Sequence, residues 1–356
     1  MLRSKAVVAA CGIGLSVALA ACGSSGNTNA GQTGNTGSTT GSTAAAGAKS
    51  NKDIKIVTVV KLRGVNWFDR METGVKEYAK TTGIDATQQG ADDASPEKQV
   101  KIIQDLIAQK PTAITVVPNS PESLEGVLKQ AMDAGIIVVT HEASNQKNTN
   151  VDIEAFNNAA YGAHMMDNLA QCMGGSGKYA AFVGHLTAKS HMEWVAGALA
   201  QAKSKYPNVQ RIGEPIEAIE DANVAYQKTK ELLAKYPDIK GFEGSAATDV
   251  AGIGRAIQEA GLQDKVCVMG TSLPSIVEKY LPDGSVDKIF FWDPAIAGQA
   301  MDTIATMLAK GEKVGEGTDL KLKGYENLKP IAGSPHGLAG EAWVDVDKTN
   351  ASQYPF

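Results

Sequence analysis

From Ile54 onward the chain alternates short apolar runs with longer amphipathic stretches, and this rhythm limits the fold more than any other feature. Ile54–Val60 reads as a strand. Phe68–Thr82 follows as a helix, with Met71, Val75, Tyr78 and Ala79 at helical spacing and Gly83 as its stop. Ile84–Gln88 is a second strand. Ser95 and Pro96 open the next helix as N-cap and first residue, and Val100, Ile103, Leu106 and Ile107 supply its core face. Strands at Ala113–Val117 and Ile136–Thr140 flank a helix that begins at Ser120-Pro121. The second half repeats the pattern. Strands are expected at Asp152–Phe156, Tyr179–Gly184, Ile212–Ile219, Gly241–Gly244, Val266–Gly270 and Ile289–Trp292. Helices are expected at Ala159–Met173, Met192–Lys205, Val224–Lys235, Ala251–Ala260, Pro274–Leu281 and Ile296–Lys310, before an irregular tail. Regular β-α-β-α alternation implies parallel sheets with helices on both faces. The class is α/β, with two doubly wound lobes, and the polar stretch Ala143–Asn150 is the clearest boundary between them.

The first residues differ in kind. Arg3 and Lys5 precede an apolar or small-residue run from Ala6 to Ala21, and Leu19-Ala20-Ala21 leads directly into Cys22. Positive start, apolar middle and small residues before a cut form a secretory signal over residues 1–21. The cysteine placed there resembles a bacterial lipobox, which implies lipid attachment at Cys22 and firm membrane anchoring. Gly23–Ser50 is nearly all Gly, Ser, Thr, Asn and Ala, with no aromatic and no large aliphatic residue. Such a segment buries too little apolar surface to offset its ordering entropy, so residues 22–52 read as a lipidated cysteine and flexible tether.

Charge and cysteine usage narrow the function. Of 356 residues, 34 are Lys or Arg and 39 Asp or Glu, a net charge of −5. Loss of Arg3 and Lys5 with the signal would leave 32 against 39, or −7. A clustered basic footprint for nucleic acid is therefore not expected. After the N-terminus no apolar run reaches the ~20 residues that a spanning helix needs. Two of the four cysteines, Cys172 and Cys267, lie in the body. They could pair in an oxidising compartment, but sequence alone brings their Cα atoms no closer, and they are read as two separate buried thiols. No CxxC or Cys/His cluster offers a metal site, and no cofactor is implied. Gly174-Gly-Ser-Gly-Lys178 lacks the spacing of a phosphate loop, runs into a strand, and reads as a turn.

In open parallel sheets ligands bind where the carboxyl ends of strands deliver their loops. After the first strand come Lys61, Arg63, Asn66, Trp67 and Phe68; after the third, Asn119; after the fourth, His141 and Glu142. The second half supplies His185, Lys189, Ser190, His191 and Trp194, then Ser245, Thr248 and Asp249, then Thr271 and Ser272, and finally Asp293. This mixture of cation, carboxylates, amides, hydroxyls and aromatic rings suits a polyhydroxylated small molecule, whose hydroxyls both donate and accept. Trp67 and Phe68 could instead staple a helix start, and His141 could cap its strand. Asp293 is either a helix N-cap or a hydroxyl acceptor, and is read as the acceptor.

The body also resembles a known family. Lys61-Leu-Arg-Gly-Val-Asn-Trp-Phe68, Gln99–Ile103, Val116–Glu122, Val139-Thr-His-Glu142, His191-Met-Glu-Trp194, Gly270–Pro274 and Phe291-Trp-Asp-Pro294 together resemble the type I periplasmic sugar-binding proteins, the solute receptors of ABC importers. Within them the likeness is to the rhamnose-binding and autoinducer-2-binding receptors. The resemblance implies two lobes joined by three crossovers, near Glu142–Thr149, Trp292–Pro294 and Gly333–Val346. One lobe would comprise residues 53–143 and 293–332, the other 144–292 and 333–356. It implies a ligand clamped in the cleft by Lys61, Asn66, Trp67, Phe68, Asn119, His141, Glu142, Ser190, His191, Trp194, Ser245, Ala247, Thr271 and Asp293. Autoinducer-2 receptors carry a lysine that matches Lys61 and an aspartate that Glu142 replaces. Their Asp-Gln pair becomes Ser190-His191, and their Pro-x-Ala segment becomes Ser245-Ala246-Ala247. Two hydrogen-bonding residues thus differ, which points to a sugar or sugar alcohol instead of autoinducer-2.

The expected protein is a non-enzymatic, extracytoplasmic receptor. It would act as a monomer, be held to the membrane by lipid, and serve ABC permease subunits. An autoinducer-2 receptor, a sensor feeding a membrane kinase and an enzyme acting on a sugar are the rivals. The enzyme would need a nucleophile elbow, metal spacing or phosphate loop that the chain does not carry.

Overall fold

The computed structural model describes residues 49–356, so the expected signal, Cys22 and nearly all of the tether lie outside the described residues. The chain first builds β1 (Lys55–Val60), α1 (Asn66–Thr82), β2 (Asp85–Gly90), α2 (Pro96–Gln109), β3 (Ala113–Val116), α3 (Pro121–Asp133), β4 (Ile137–His141) and β5 (Val151–Glu154). All but the first residue of β1 are buried, as a parallel strand covered on both faces requires. Ser95 caps α2 and Ser120 caps α3, each accepting a backbone N–H two residues inside a proline at the first helical position.

There follow α4 (Asn158–Cys172), β6 (Gly177–Val183), α5 (Lys189–Lys205), β7 (Val209–Arg211), β8 (Ile216–Glu217), α6 (Ala222–Lys235), β9 (Ile239–Gly244), α7 (Ala247–Ala260), β10 (Cys267–Thr271), β11 (Lys288–Phe291) and α8 (Pro294–Ala309). The tail adds β12 (Lys329–Pro330), β13 (Gly337–Ala339) and β14 (Val344–Val346). Two sheets result. The first has the order β12-β13-β5-β4-β3-β1-β2, and the second β14-β11-β10-β9-β6-β7, with β8 pairing onto β6. Among the described residues only the β12–β13 and β11–β14 pairs are antiparallel. The expected pair of doubly wound α/β lobes is therefore present.

The lobe boundaries shift from those expected. β5 pairs with β4, and β13 pairs with β5, so residues 151–154 and 337–339 belong to the first sheet. The first crossover thus lies at residues 155–157, not directly after residue 143. The polar stretch before it is a loop within the first lobe. The third lies at residues 340–343, between β13 and β14. The second stands at Trp292-Asp293, where β11 of the second sheet hands over to α8, which packs on β1, β3 and β4.

Three local expectations also change. Ile212–Ile219 is not one strand: Gly213 takes φ 62° and Pro215 offers no N–H, so the ladder breaks between β7 and β8. Pro274–Leu281 forms linked turns instead of a helix, and the Ser275 N–H is taken by the Phe356 carbonyl. Cys172 and Cys267 are not separate thiols. They form a disulfide, with Cα atoms 6.1 Å apart, that ties the end of α4 to the start of β10 across 95 residues. Packing of α4 against β10 brings them together, a tertiary fact that spacing does not contain.

Candidate functional site

The carboxyl ends of both sheets face one cavity, lined from the first lobe by Lys61, Val65, Trp67, Phe68 and Glu142 and from the second by His191, Trp194, Glu220, Ser245, Ala246, Ala247 and Thr271, with Trp292 at the crossover. The free space within it is about 20 Å³, little more than one water molecule needs. A wider groove of about 540 Å³ runs beside Trp343 and Pro330, but its polar side chains are engaged: Asn157 caps α4, and Lys329 pairs with Glu341.

The floor of the cavity is aromatic. Each crossover contributes a ring: Phe156 at the first, Trp292 at the second and Trp343 at the third. Phe156 lies 5.1 Å from Trp292 and 5.5 Å from Trp343 between ring centres. Trp67 and Trp194 approach Trp292 edge-on, at 4.7 Å and 5.6 Å. Trp194 is held by donating its Nε1 hydrogen to Asn158 Oδ1 at 2.7 Å. Gly162 lets α4 approach α5 at this point, since a Cβ there would meet the Trp194 carbonyl oxygen at 2.0 Å.

The polar wall centres on Lys61. It follows β1 and is 3% exposed. Its Nζ donates to Glu142 Oε2 at 2.8 Å and lies 3.9 Å from Glu220 Oε1. Ser190, at the start of α5, donates to the same Glu142 oxygen at 3.0 Å, so a hydrogen bond joins the two lobes. Burial by itself pushes the Glu142 carboxyl up. The Lys61 ammonium overrides it and holds the group at about 2. Burial likewise opposes the charge on Lys61, but Glu142 and then Glu220 keep its pKa above the ordinary value. Glu142 is a charged anion at neutral pH. Its backbone is left-handed, with φ 60°, a conformation rare for a residue with a Cβ.

Both histidines are neutral. The Gly184 N–H donates to His191 Nδ1 at 3.2 Å, which leaves the His191 proton on Nε2. Burial, and then Lys61, keep the His191 pKa well below its usual value. His141 is not in the cavity lining. Trp292 Nε1 donates to its Nε2 at 3.2 Å, so Nδ1 carries the proton and donates to the Ile153 carbonyl. It braces Trp292 from behind.

Nine of the fourteen expected residues therefore line the cavity: Lys61, Trp67, Phe68, Glu142, His191, Trp194, Ser245, Ala247 and Thr271. Five do not. Asn119 Nδ2 donates to the Lys61 carbonyl and steadies it. Ser190 and His141 act on cavity residues as described. Asn66 is exposed, and its Nδ2 donates to Ser275 Oγ at 3.2 Å. Asp293 corrects the acceptor reading: Arg70 binds it with two hydrogen bonds, at 2.9 Å and 2.6 Å, and its Oδ1 caps α8 at the Ala295 N–H. It is the N-cap and the arginine's partner, because a carboxylate before Pro294 meets the helix start first.

Four lining residues went unread in the sequence: Val65, Glu220, Ala246 and Trp292. Glu220 directly follows the expected strand Ile212–Ile219, so the strand-end rule reaches it, although that loop is absent from the expected set. Trp292 was passed over for its neighbour Asp293.

Comparison with known proteins agrees with this architecture. A family model described as a periplasmic binding protein domain matches residues 56–313. A D-ribose/D-allose-binding protein of Pseudomonas aeruginosa is 24% identical over 274 residues, 71% of this chain and 81% of the relative. The D-allose-binding periplasmic protein of Escherichia coli is 23% identical over 70% of this chain and 81% of its own length. Among solved structures, an ABC transporter solute-binding protein of Clostridium phytofermentas with bound L-rhamnose superposes with a TM-score of 0.79 at 22% identity, covering 85% of this chain and 98% of the other. LsrB of Clostridium saccharobutylicum in complex with AI-2 superposes with a TM-score of 0.78 at 22% identity, covering 85% and 100%. The match over well more than half its length, on a two-lobed fold with a cavity at the facing strand ends, makes this chain a member of the periplasmic binding protein family.

Proposed function

We propose that this protein is the extracytoplasmic, lipid-anchored substrate-binding component of an ABC importer, and that it takes one monosaccharide or sugar alcohol between its lobes. The observation that carries this reading is the cavity lining. Lys61, Glu142, His191, Ser245 and Thr271 converge from two lobes onto a space floored by indole rings. Carboxylate, imidazole N–H and hydroxyl groups satisfy sugar hydroxyls, and the rings pack against sugar C–H faces. Binding is proposed to proceed without chemistry. Only the closed lobes offer both sets of contacts at once, so a ligand shifts the hinge toward closure, and a permease can tell loaded from empty receptor.

Autoinducer-2 is the second reading, favoured by Lys61, Glu142 and Ala247 at the cavity. Against it, Ser190 turns its hydroxyl onto Glu142 instead of lining the cavity. A thermal-shift screen of pentoses, hexoses, deoxy sugars, polyols and autoinducer-2 tests both, followed by calorimetry and small-angle scattering. The expected result is one sugar or polyol that raises the melting temperature, compacts the protein and is recovered unchanged. A chemically altered sugar, or autoinducer-2 as the sole binder, would overturn the sugar-receptor reading.

A further inference from the structure

The cavity holds more carboxyl groups than its lysine can match, and burial raises the pKa of the second one, Glu220. Two buried carboxylates, Glu142 and Glu220, face one ammonium. Lys61 is committed to Glu142 at 2.8 Å, whereas Glu220 Oε1 sits 3.9 Å away, beyond hydrogen-bond reach. Glu220 Oε1 is fully buried and has no hydrogen-bond partner among the described residues, and the side chain is only 9% exposed. The neighbouring groups supply no second cation contact: His191 is neutral, and Asp249, fully buried under Ala246, adds a further carboxyl. His185, on the preceding loop, is turned to Glu217 at 3.2 Å.

The backbone is built around this side chain. Ile219 and Glu220 both adopt left-handed φ, 50° and 57°, and the Ile219 side chain is left exposed. Two consecutive residues with side chains in that region represent stored strain. Opposite them is Gly184, where a Cβ would fall 2.3 Å from Glu220 Oε1. The fold has thus cleared space for a carboxylate that lacks a protein donor.

We propose that Glu220 is the counter-ion for a ligand amine, so that the cleft prefers a sugar bearing a protonated amino group over its neutral parent and rejects sugar acids and sugar phosphates. The inference rests on the reading of the cleft as a sugar site and names the class within it. A ligand ammonium donates to Glu220 Oε1 and favours its carboxylate form, which burial alone opposes. A uronate or phosphate places a third anionic group beside Glu142 and Glu220. A charge-assisted hydrogen bond is about twice as strong as a neutral one, which gives the amine its advantage.

Calorimetry on the described body tests this with matched sets in the gluco, galacto and manno configurations: neutral hexose, 2-amino-2-deoxy hexose and uronate. L-rhamnose, D-arabinose and D-ribose serve as further neutral sugars. In the wild type at least one amino sugar should bind roughly tenfold or more tightly than its neutral parent, and no uronate should bind. Glu220→Gln should abolish the amine advantage, and its unchanged far-UV spectrum and melting would show that it folds. Neutral sugars that bind with no gain from the amine, or an amine advantage that survives Glu220→Gln, would overturn the inference and leave the sugar reading standing. If no sugar of any kind binds, both fall together.

Discussion

The Lys61–Glu142 pair supports a quantitative prediction. Both side chains are 4% exposed and their charged atoms are 2.8 Å apart. Lys61→Met keeps the length and removes the charge, so Glu142 is left buried without its cation. Breaking a buried pair from one side costs about 3–5 kcal/mol. The fall of Glu142 from 4.5 to about 2 gives a second measure, about 3 kcal/mol. The two agree, and on a domain of this size they amount to roughly 6–10 °C in melting temperature. The sign with pH follows from linkage. In the wild type Glu142 has a depressed pKa, so its contribution is present above pH 4.5 and is lost as the pH falls toward 2. In Lys61→Met the same carboxyl is buried without a cation and takes up a proton more readily. The deficit should therefore be largest near pH 7.5 and shrink toward pH 4. Urea unfolding at both pH values measures it, and adding Glu142→Gln to the variant should recover most of the loss. A deficit below about 1 kcal/mol at pH 7.5, an equal deficit at both pH values, or no recovery in the double variant would refute the reasoning.

Other outcomes follow from single contacts. Reducing Cys172–Cys267, or replacing both with Ser, should cost about 2–4 kcal/mol in urea unfolding, since it frees a 95-residue loop in the unfolded chain; unchanged stability would count against the bridge. Asp293→Ala should lower stability by about 1–2 kcal/mol through loss of the α8 cap and the Arg70 pair, yet change calorimetric affinity for a proven ligand little. A large loss of affinity in a well-folded variant would return Asp293 to the cavity. Asp302, fully buried on α8 with Thr58 Oγ1 donating to it, is pushed by burial from 3.8 to about 8. The folded state keeps that proton, so the stability it contributes is full below pH 4 and is lost as the pH rises toward 8. Asp302→Asn should flatten that slope in thermal scans taken from pH 4 to 9.

What the sequence conveyed was the local period and the strand ends. Apolar runs at Ile54, Ala113 and Val266 marked central strands because those strands are buried on both faces and carry unbroken hydrophobic signal. Ser95-Pro96 and Ser120-Pro121 marked helix starts because the capping hydroxyl acts within three residues. The strand-end rule then reached most of the cavity wall. It failed where side-chain choice depends on the partner across space. Asp293 was drawn to Arg70, 223 residues away in the chain. His141 was turned behind Trp292, and Cys172 met Cys267 through the packing of α4. The crossover beside residue 143 was misplaced because a polar loop looks like a linker, whereas β5 pairs by backbone groups that leave no side-chain signature. Glu220 owes its position to two left-handed residues, a conformation with no reliable sequence mark outside glycine and asparagine.

The three rings at the crossovers have a further consequence. All four tryptophans of the chain, Trp67, Trp194, Trp292 and Trp343, belong to this one aromatic cluster, with Phe156 bridging Trp292 to Trp343. Indole emission from the native protein therefore originates at the cleft and its crossovers, with Trp67 and Trp194 on the cleft-side turns of α1 and α5. Under the proposed closure the molecule carries a built-in optical gauge of the movement, readable by stopped-flow without a dye or an introduced label.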